Sequence, residues 1–342
     1  MSEYFLKLPA IDRREVLAVA AGASGRPLHL LDKDVWLVWI LDVLFRAPFG
    51  DHLVFKGGSS LSKGYQIISR FSEDVDLTYD IRALAPNLAE DGAVKGMDPL
   101  PPNRSQEKRW SKEIRMRLPT WIQDQVMPAI SNALSENGLA ARLSADNEKV
   151  FLEYDPLSSG SGYVRPVVML EFGARSTGEP WETRHVHCDA SAHVADIVFP
   201  VANPRVMRPE RTFWEKATAI HVFCEQGEFR GGERFSRHWH DLTRLDRAGI
   251  AKVAMADRPL ALAVARHKSV FFTEKRPSGQ AVDYAAAVSG GLRLVPDDKA
   301  LASLSLDYER MIEDGLLLDD AESFEELMQR CRDLQARANR SA

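Results

Sequence analysis

The chain has 342 residues (38.3 kDa), 45% of them hydrophobic and 27% charged, with a formal net charge of -5. That composition is ordinary for a globular protein, and the length suits two modest domains or one large one. The negative balance argues against a surface coated by nucleic acid but leaves room for a local basic groove. No run of about 18 uncharged apolar residues is present, nor a secretory leader pattern, so a cytoplasmic location without membrane contact is expected. Cys188, Cys224 and Cys331 suit neither a disulfide framework nor a thiolate metal site.

Two amphipathic segments open the chain, near 12–21 and 33–47. Asp32 or Asp34 is placed to cap the second, where Trp36, Trp39, Ile40 and Val43 recur at helical spacing. A short apolar run ending at Phe55 predicts a strand, and Lys56-Gly57-Gly58 a tight turn. "SSLSKGYQII" then reads as a short helix with Ser59 and Ser60 in its first turn. "DVDLTY" alternates, with Val75, Leu77 and Tyr79 on one face and Asp74, Asp76 and Thr78 on the other. Residues 81–105 are rich in breakers and read as a loop or insertion. A helical stretch over about 106–137 follows, with Pro119 kinking or dividing it. Strands are expected at 149–154, 164–172 and 183–188. After "VANPRVMRPE" the chain reads as helical, ending in a helix within 320–342 that carries Phe324, Leu327, Met328 and Leu334 on one side. The fold class is therefore α+β: a mixed-sheet unit over 1–200 with N-terminal helices, then a mainly helical unit over 201–342.

Asp74 and Asp76 sit at i and i+2 of the alternating strand, so both carboxylates point the same way, about 6–7 Å apart along it. Two hard oxygen donors so placed suit Mg²⁺ or Mn²⁺ shared with substrate phosphates. Gly57 and Gly58 permit close backbone approach, N–H groups at a helix start can hold phosphate oxygens, and Ser59 adds a hydroxyl. Lys56, Lys63 or Arg70 supplies a counter-charge. Taken singly, each motif reads as a hydrophilic hairpin; their combination around a short helix favours a triphosphate–metal site. Glu73 falls on the opposite face. Glu171, at the end of the apolar run "PVVML", is a candidate third carboxylate, and Asp155 in the turn-like "DPLSSG" competes with it.

Pro209 opens a helix with Phe213, Ala217 and Ile220 on its buried side, and Lys216 lies beside that stripe. Asp241 has Arg244 at i+3 and Arg237 at i−4, so a structural ion pair competes with a functional role. His185, His187, His193 and Cys188 invite zinc, but the spacing does not close a ligand set.

Four segments, "FKGGSSLSKGY" at 55–65, "RFSEDVDL" at 70–77, "RPERTFWEKATAIH" at 208–221 and "RHWHDLTRL" at 237–245, resemble the nucleotidyltransferase family of the AbiEii/AbiGii toxins. The resemblance spans roughly residues 30–270 and implies a DNA polymerase β-like nucleotidyltransferase core completed by a helical half. It matches Gly58 and Ser59 to the glycine–hydroxyl motif, Asp74 and Asp76 to the metal aspartates, Lys216 to the family lysine and Asp241 to the later essential aspartate. Glu171 matches only loosely. Fourteen residues separate Ser59 from Asp74, more than in the compact family pattern, and a longer helix or loop is expected to absorb them. The resemblance implies transfer from an NTP to an acceptor hydroxyl, in RNA such as a tRNA 3′ end or in a protein, within a toxin–antitoxin or phage-defence pair. A nucleotide-binding protein that acts through a partner and a small-molecule nucleotidyltransferase are the alternatives.

Overall fold

The computed structural model describes residues 3–90, 98–159, 164–227, 234–313, 317 and 321–340. The chain forms two compact units. One comprises Met1–Tyr65, Phe71–Asp91 and Trp110–Met207, the other Gln66–Arg70, Gly92–Arg109 and Arg208–Ala342. The second unit thus takes the chain from Arg208 onward together with two earlier segments.

The first unit is built on a seven-stranded mixed sheet. Its strands are β1 (Leu53–Lys56), β2 (Asp74–Tyr79), β3 (Ala141–Asp146), β4 (Lys149–Tyr154), β5 (Val167–Gly173), β6 (Trp181–Thr183) and β7 (Arg205–Met207). They lie in the order β3-β4-β5-β2-β1-β7-β6. β2 is parallel to β5 and antiparallel to β1, so it is central and paired on both sides. Val75 and Leu77 are buried, as are Phe55, Leu170 and Phe172 on the neighbouring strands.

Helix α1 (Ala10–Ser24) lies mainly at the surface, whereas α2 (Leu28–Arg46) is buried over most of its length. The helix begins after Pro27, which corrects the capping expectation for Asp32 and Asp34: both lie inside it, and both are buried. Helix α3 (Gly57–Lys63) ends earlier than its sequence suggested, because the chain turns at Gly64, where a Cβ would press on Ser60 O and Val206. The fourteen-residue spacing is therefore absorbed by the connection and not by the helix.

The breaker-rich segment contains two four-residue helical turns, Ile81–Leu84 and Pro86–Ala89, the first capped by Asp80 accepting from the Arg82 N–H. Residues 91–97 of that segment lie outside the described residues. Helix α4 (Arg104–Trp121) includes Pro119, and a π turn over Ile122–Val126 joins it to α5 (Met127–Asn137). This is the expected division, since proline removes one backbone donor. Trp121 stacks on Tyr79 at 4.0 Å between ring centroids and meets Phe172 edge-on at 5.6 Å, which ties α4 to β2 and β5. The expected strand at 183–188 is split between β6 and a two-residue pairing of Val186–His187 with Val201–Ala202.

In its C-terminal stretch the second unit is helical among the described residues. Helix α6 (Pro209–Gln226) starts with proline at its first position and buries Phe213, Trp214, Ala217 and Ile220. It is followed by α7 (Ser236–Arg247), α8 (Ile250–Ala256), α9 (Arg258–Phe271), α10 (Tyr284–Val288), α11 (Asp298–Glu313) and α12 (Phe324–Arg340). The buried indoles find carbonyls: Trp214 Nε1 donates to Ala254 O at 2.9 Å and Trp239 Nε1 to Leu294 O at 2.7 Å. Leu327, Met328, Cys331 and Leu334 form the buried stripe of α12, with Phe324 outside it.

Candidate active site

In the first unit, Asp74 and Asp76 occupy one face of β2, both half-buried, while Val75 and Leu77 face the core. Across the sheet, Asp76 stands in register with Lys56 of β1 on one side and Glu171 of β5 on the other. A row of three charged side chains thus crosses three strands on the same face. Glu171 is exposed and pairs with Lys149 of β4 at 3.3 Å. Such an exposed pair contributes little, about 0–1 kcal/mol, and leaves the carboxylate available.

Gly57 joins β1 to α3 with φ +77°, and a Cβ there would lie 2.0 Å from Asp76 Oδ2. The absent side chain is therefore what lets the Asp76 carboxylate rest against the turn. Ser59 is fully buried, and its hydroxyl donates to the Asp74 carbonyl and lies 2.9 Å from Ser72 Oγ. It ties α3 to the start of β2 instead of facing outward as a donor. Ser60 Oγ closes the turn by donating to Gly57 O at 2.9 Å.

Lys63 is also committed within the protein. Its ammonium lies 2.5 Å from Asp34 Oδ1 and 2.6 Å from Asp189 Oδ1, with the side chain almost entirely buried. Burial lowers its pKa, but the two carboxylates more than reverse this, and the amine stays charged. Burial pushes Asp34 up to about 6 despite the pull of Lys63. Glu73 binds Lys33 at 3.0 Å. Asp155 is exposed in the turn after β4.

The second unit holds the other sequence candidates. Asp241 on α7 is fully buried and takes a bidentate contact from Arg70, Nε at 2.6 Å and Nη2 at 2.8 Å, plus Lys216 Nζ of α6 at 2.8 Å. Its Arg and Lys partners are thus remote in sequence, while Arg244 turns to Glu322 at 3.3 Å. Burial alone would raise Asp241, but Arg70 and Lys216 hold the carboxyl well below its ordinary range. Burial lowers the Lys216 amine, with Asp241 acting in the opposite sense. Burial also holds His238 well below its ordinary range, so the ring is neutral beside these cations.

Among the described residues no group of three or more His, Cys, Asp and Glu side chains is gathered for a metal ion. Asp74 and Asp76 nonetheless offer the hard oxygen donors that suit a divalent cation, and the Cβ-free space at Gly57 leaves room for the Asp76 carboxylate. His185 and His187 pack edge-on at 4.2 Å, and Cys188 Sγ donates to Pro200 O at 3.3 Å.

The sequence reasoning missed the supports beneath this site. Asp34 with Lys63 and Asp189, and Lys33 with Glu73, all converge on α2. The available signal was "DKD" at 32–34 inside an otherwise apolar helix, where buried charge requires a partner.

A glycine turn leading into a short helix is thus set against an Asp-x-Asp strand in a mixed sheet. The chain belongs to the family described as nucleotidyl transferase AbiEii toxin, type IV toxin–antitoxin system, whose model matches residues 39–330. It is an NTP-dependent nucleotidyltransferase, and membership of this toxin family implies an antitoxin partner. Among solved structures, the chain is similar to MenT4, a nucleotidyltransferase toxin from Mycobacterium tuberculosis, at 17% identity and a TM-score of 0.44, over 94% of this chain and 98% of that one. It is also similar to JHP933 from Helicobacter pylori, at 15% identity and a TM-score of 0.37, over 92% of this chain and 93% of that one. No curated protein sequence matches the chain. No helix among the described residues is long and apolar enough to cross a membrane.

Proposed function

We infer that the protein transfers a nucleotidyl group from an NTP to a hydroxyl of RNA, a tRNA 3′ end being the leading acceptor, in a reaction that depends on Mg²⁺ or Mn²⁺ held by Asp74 and Asp76. The observation that carries this reading is the packing of the Asp76 carboxylate against Gly57, which sets the acid beside the glycine turn. The cation, when bound, supplies charge neutralisation for the triphosphate. Backbone N–H groups at Gly57 and Gly58 donate to phosphate oxygens, and Lys56, across from Asp76, adds positive charge. Ser59 acts by fixing α3 to Asp74.

The acceptor oxygen attacks the α-phosphorus, the bond to the bridging oxygen of the β-phosphate breaks, and pyrophosphate leaves. Glu171, one strand from Asp76, takes the proton of the attacking hydroxyl. Alignment and charge neutralisation account for most of the acceleration. Lys216 and Asp241 enter through the family motif: Asp241 stays ionised and holds the Lys216 ammonium within the second unit. The setting is the cytoplasm of a bacterium, in toxicity that serves phage defence.

The test is to incubate the purified protein with each α-³²P-labelled NTP, Mg²⁺ or Mn²⁺, and total bacterial RNA, and to resolve RNA and protein on one gel. Label in RNA that vanishes on chelation supports the reading. Label confined to protein would move the acceptor class. Metal-dependent NTP binding without any product would favour a binding protein that acts through its antitoxin.

A further inference from the structure

Three consecutive charged residues, Asp32, Lys33 and Asp34, are buried in α2, and each grips a different remote segment. Asp32 Oδ2 accepts the Leu157 N–H at 2.9 Å. Lys33 Nζ reaches Glu73 Oε2 at 3.0 Å and the Arg165 carbonyl at 3.1 Å. Asp34 Oδ1 holds Lys63 Nζ at 2.5 Å, while its Oδ2 accepts the Asp189 N–H at 2.6 Å. Two of these grips fall on segments that carry the chemistry. Lys63 is the last residue of α3, whose first turn is Gly57-Gly58-Ser59, and Glu73 immediately precedes Asp74.

We propose that Lys33 and Asp34 are positioning residues for nucleotidyl transfer, Asp34 fixing α3 through Lys63 and Lys33 fixing the start of β2 through Glu73. The inference rests on the reading of Gly57–Ser59, Asp74 and Asp76 as the transfer site. A seven-residue helix is too short to be stable by itself, so its placement depends on such tertiary anchors. Ser59 secures its beginning and Lys63 its end. Lys63 thereby serves the site from within the protein and not as a ligand of phosphate. Asp32 is the internal control, since it has the same helix and similar burial but grips a segment carrying none of the proposed site residues.

The experiment compares Asp32→Asn, Lys33→Met and Asp34→Asn by amide hydrogen exchange and by kcat/KM, below the unfolding transition of each. A Lys33→Met/Glu73→Gln double variant removes both charges of that pair and guards against a fold lost to an unpaired buried carboxylate. Exchange roughly tenfold faster over 57–63 in Asp34→Asn and over 72–76 in both Lys33 variants is expected, with Asp32→Asn unchanged at both segments. In parallel kcat/KM falls about 10- to 100-fold in the Lys33 and Asp34 variants and holds in Asp32→Asn, as ångström-scale misplacement requires. Unaltered exchange at both segments would overturn the positioning roles whether or not the protein transfers nucleotide. An Asp34→Asn enzyme that binds NTP as well as or better than wild type would return Lys63 to the phosphate. Altered exchange with undiminished kcat/KM would instead detach these segments from the chemistry.

Discussion

Replacing Gly57 by alanine separates backbone strain from damage to the site. Gly57 has φ +77°, where an L side chain costs about 1–2 kcal/mol. The added Cβ would also lie 2.0 Å from Asp76 Oδ2 and 2.9 Å from its Cγ. The carboxylate must retreat by roughly 1 Å, a displacement that can cost about 100-fold in rate. Gly25 provides the control, with φ +73° but nothing within 4 Å of its Cβ position. Gly57→Ala and Gly25→Ala should therefore lose similar stability in urea, about 1–2 kcal/mol each. Only Gly57→Ala should lose transfer, by about 100-fold in kcat/KM. Equal activity in the two variants would refute the claim that the turn and Asp76 form one site.

Asp241→Asn leaves Arg70 and Lys216 buried without their carboxylate, and urea unfolding should show a loss of about 3–5 kcal/mol. Asp32 is raised by burial from 3.8 to about 6, so the folded state binds its proton more tightly than the unfolded state. Its contribution is full below pH 4 and is lost as pH rises through 6, so Asp32→Asn should gain about 3 kcal/mol on wild type between pH 4 and pH 8 in parallel urea titrations. Glu171→Gln should slow transfer to the hydroxyl acceptor while thermal unfolding shifts by less than about 1 kcal/mol, since its pair with Lys149 is exposed. A large stability loss in that variant would make Glu171 a structural residue.

The strand–turn–helix–strand around Asp74 was legible because its signals are local: an apolar run, two glycines, and strict alternation in "DVDLTY". Register was not, since the row Lys56, Asp76, Glu171 joins residues from three strands far apart in the chain. Asp32 and Asp34 read as caps because they stand shortly before the apolar run that starts at Val35, yet their partners, Leu157, Lys63 and Asp189, are distant in sequence. β3 went unseen because "ARLSAD" lacks a β-branched residue and none of its side chains is fully buried at the sheet edge. Asp241 posed the same difficulty: its helical neighbours were visible, while Arg70, lying 171 positions away, was not.

The most direct test of the central claim is the initial rate of α-³²P transfer to RNA by wild type and Asp76→Asn across a Mg²⁺ titration, with circular dichroism confirming equal folding. A metal-dependent rate in wild type that falls to background in Asp76→Asn at every Mg²⁺ concentration is the predicted result. Equal rates in the two proteins would remove the Gly57–Asp76 site from the chemistry.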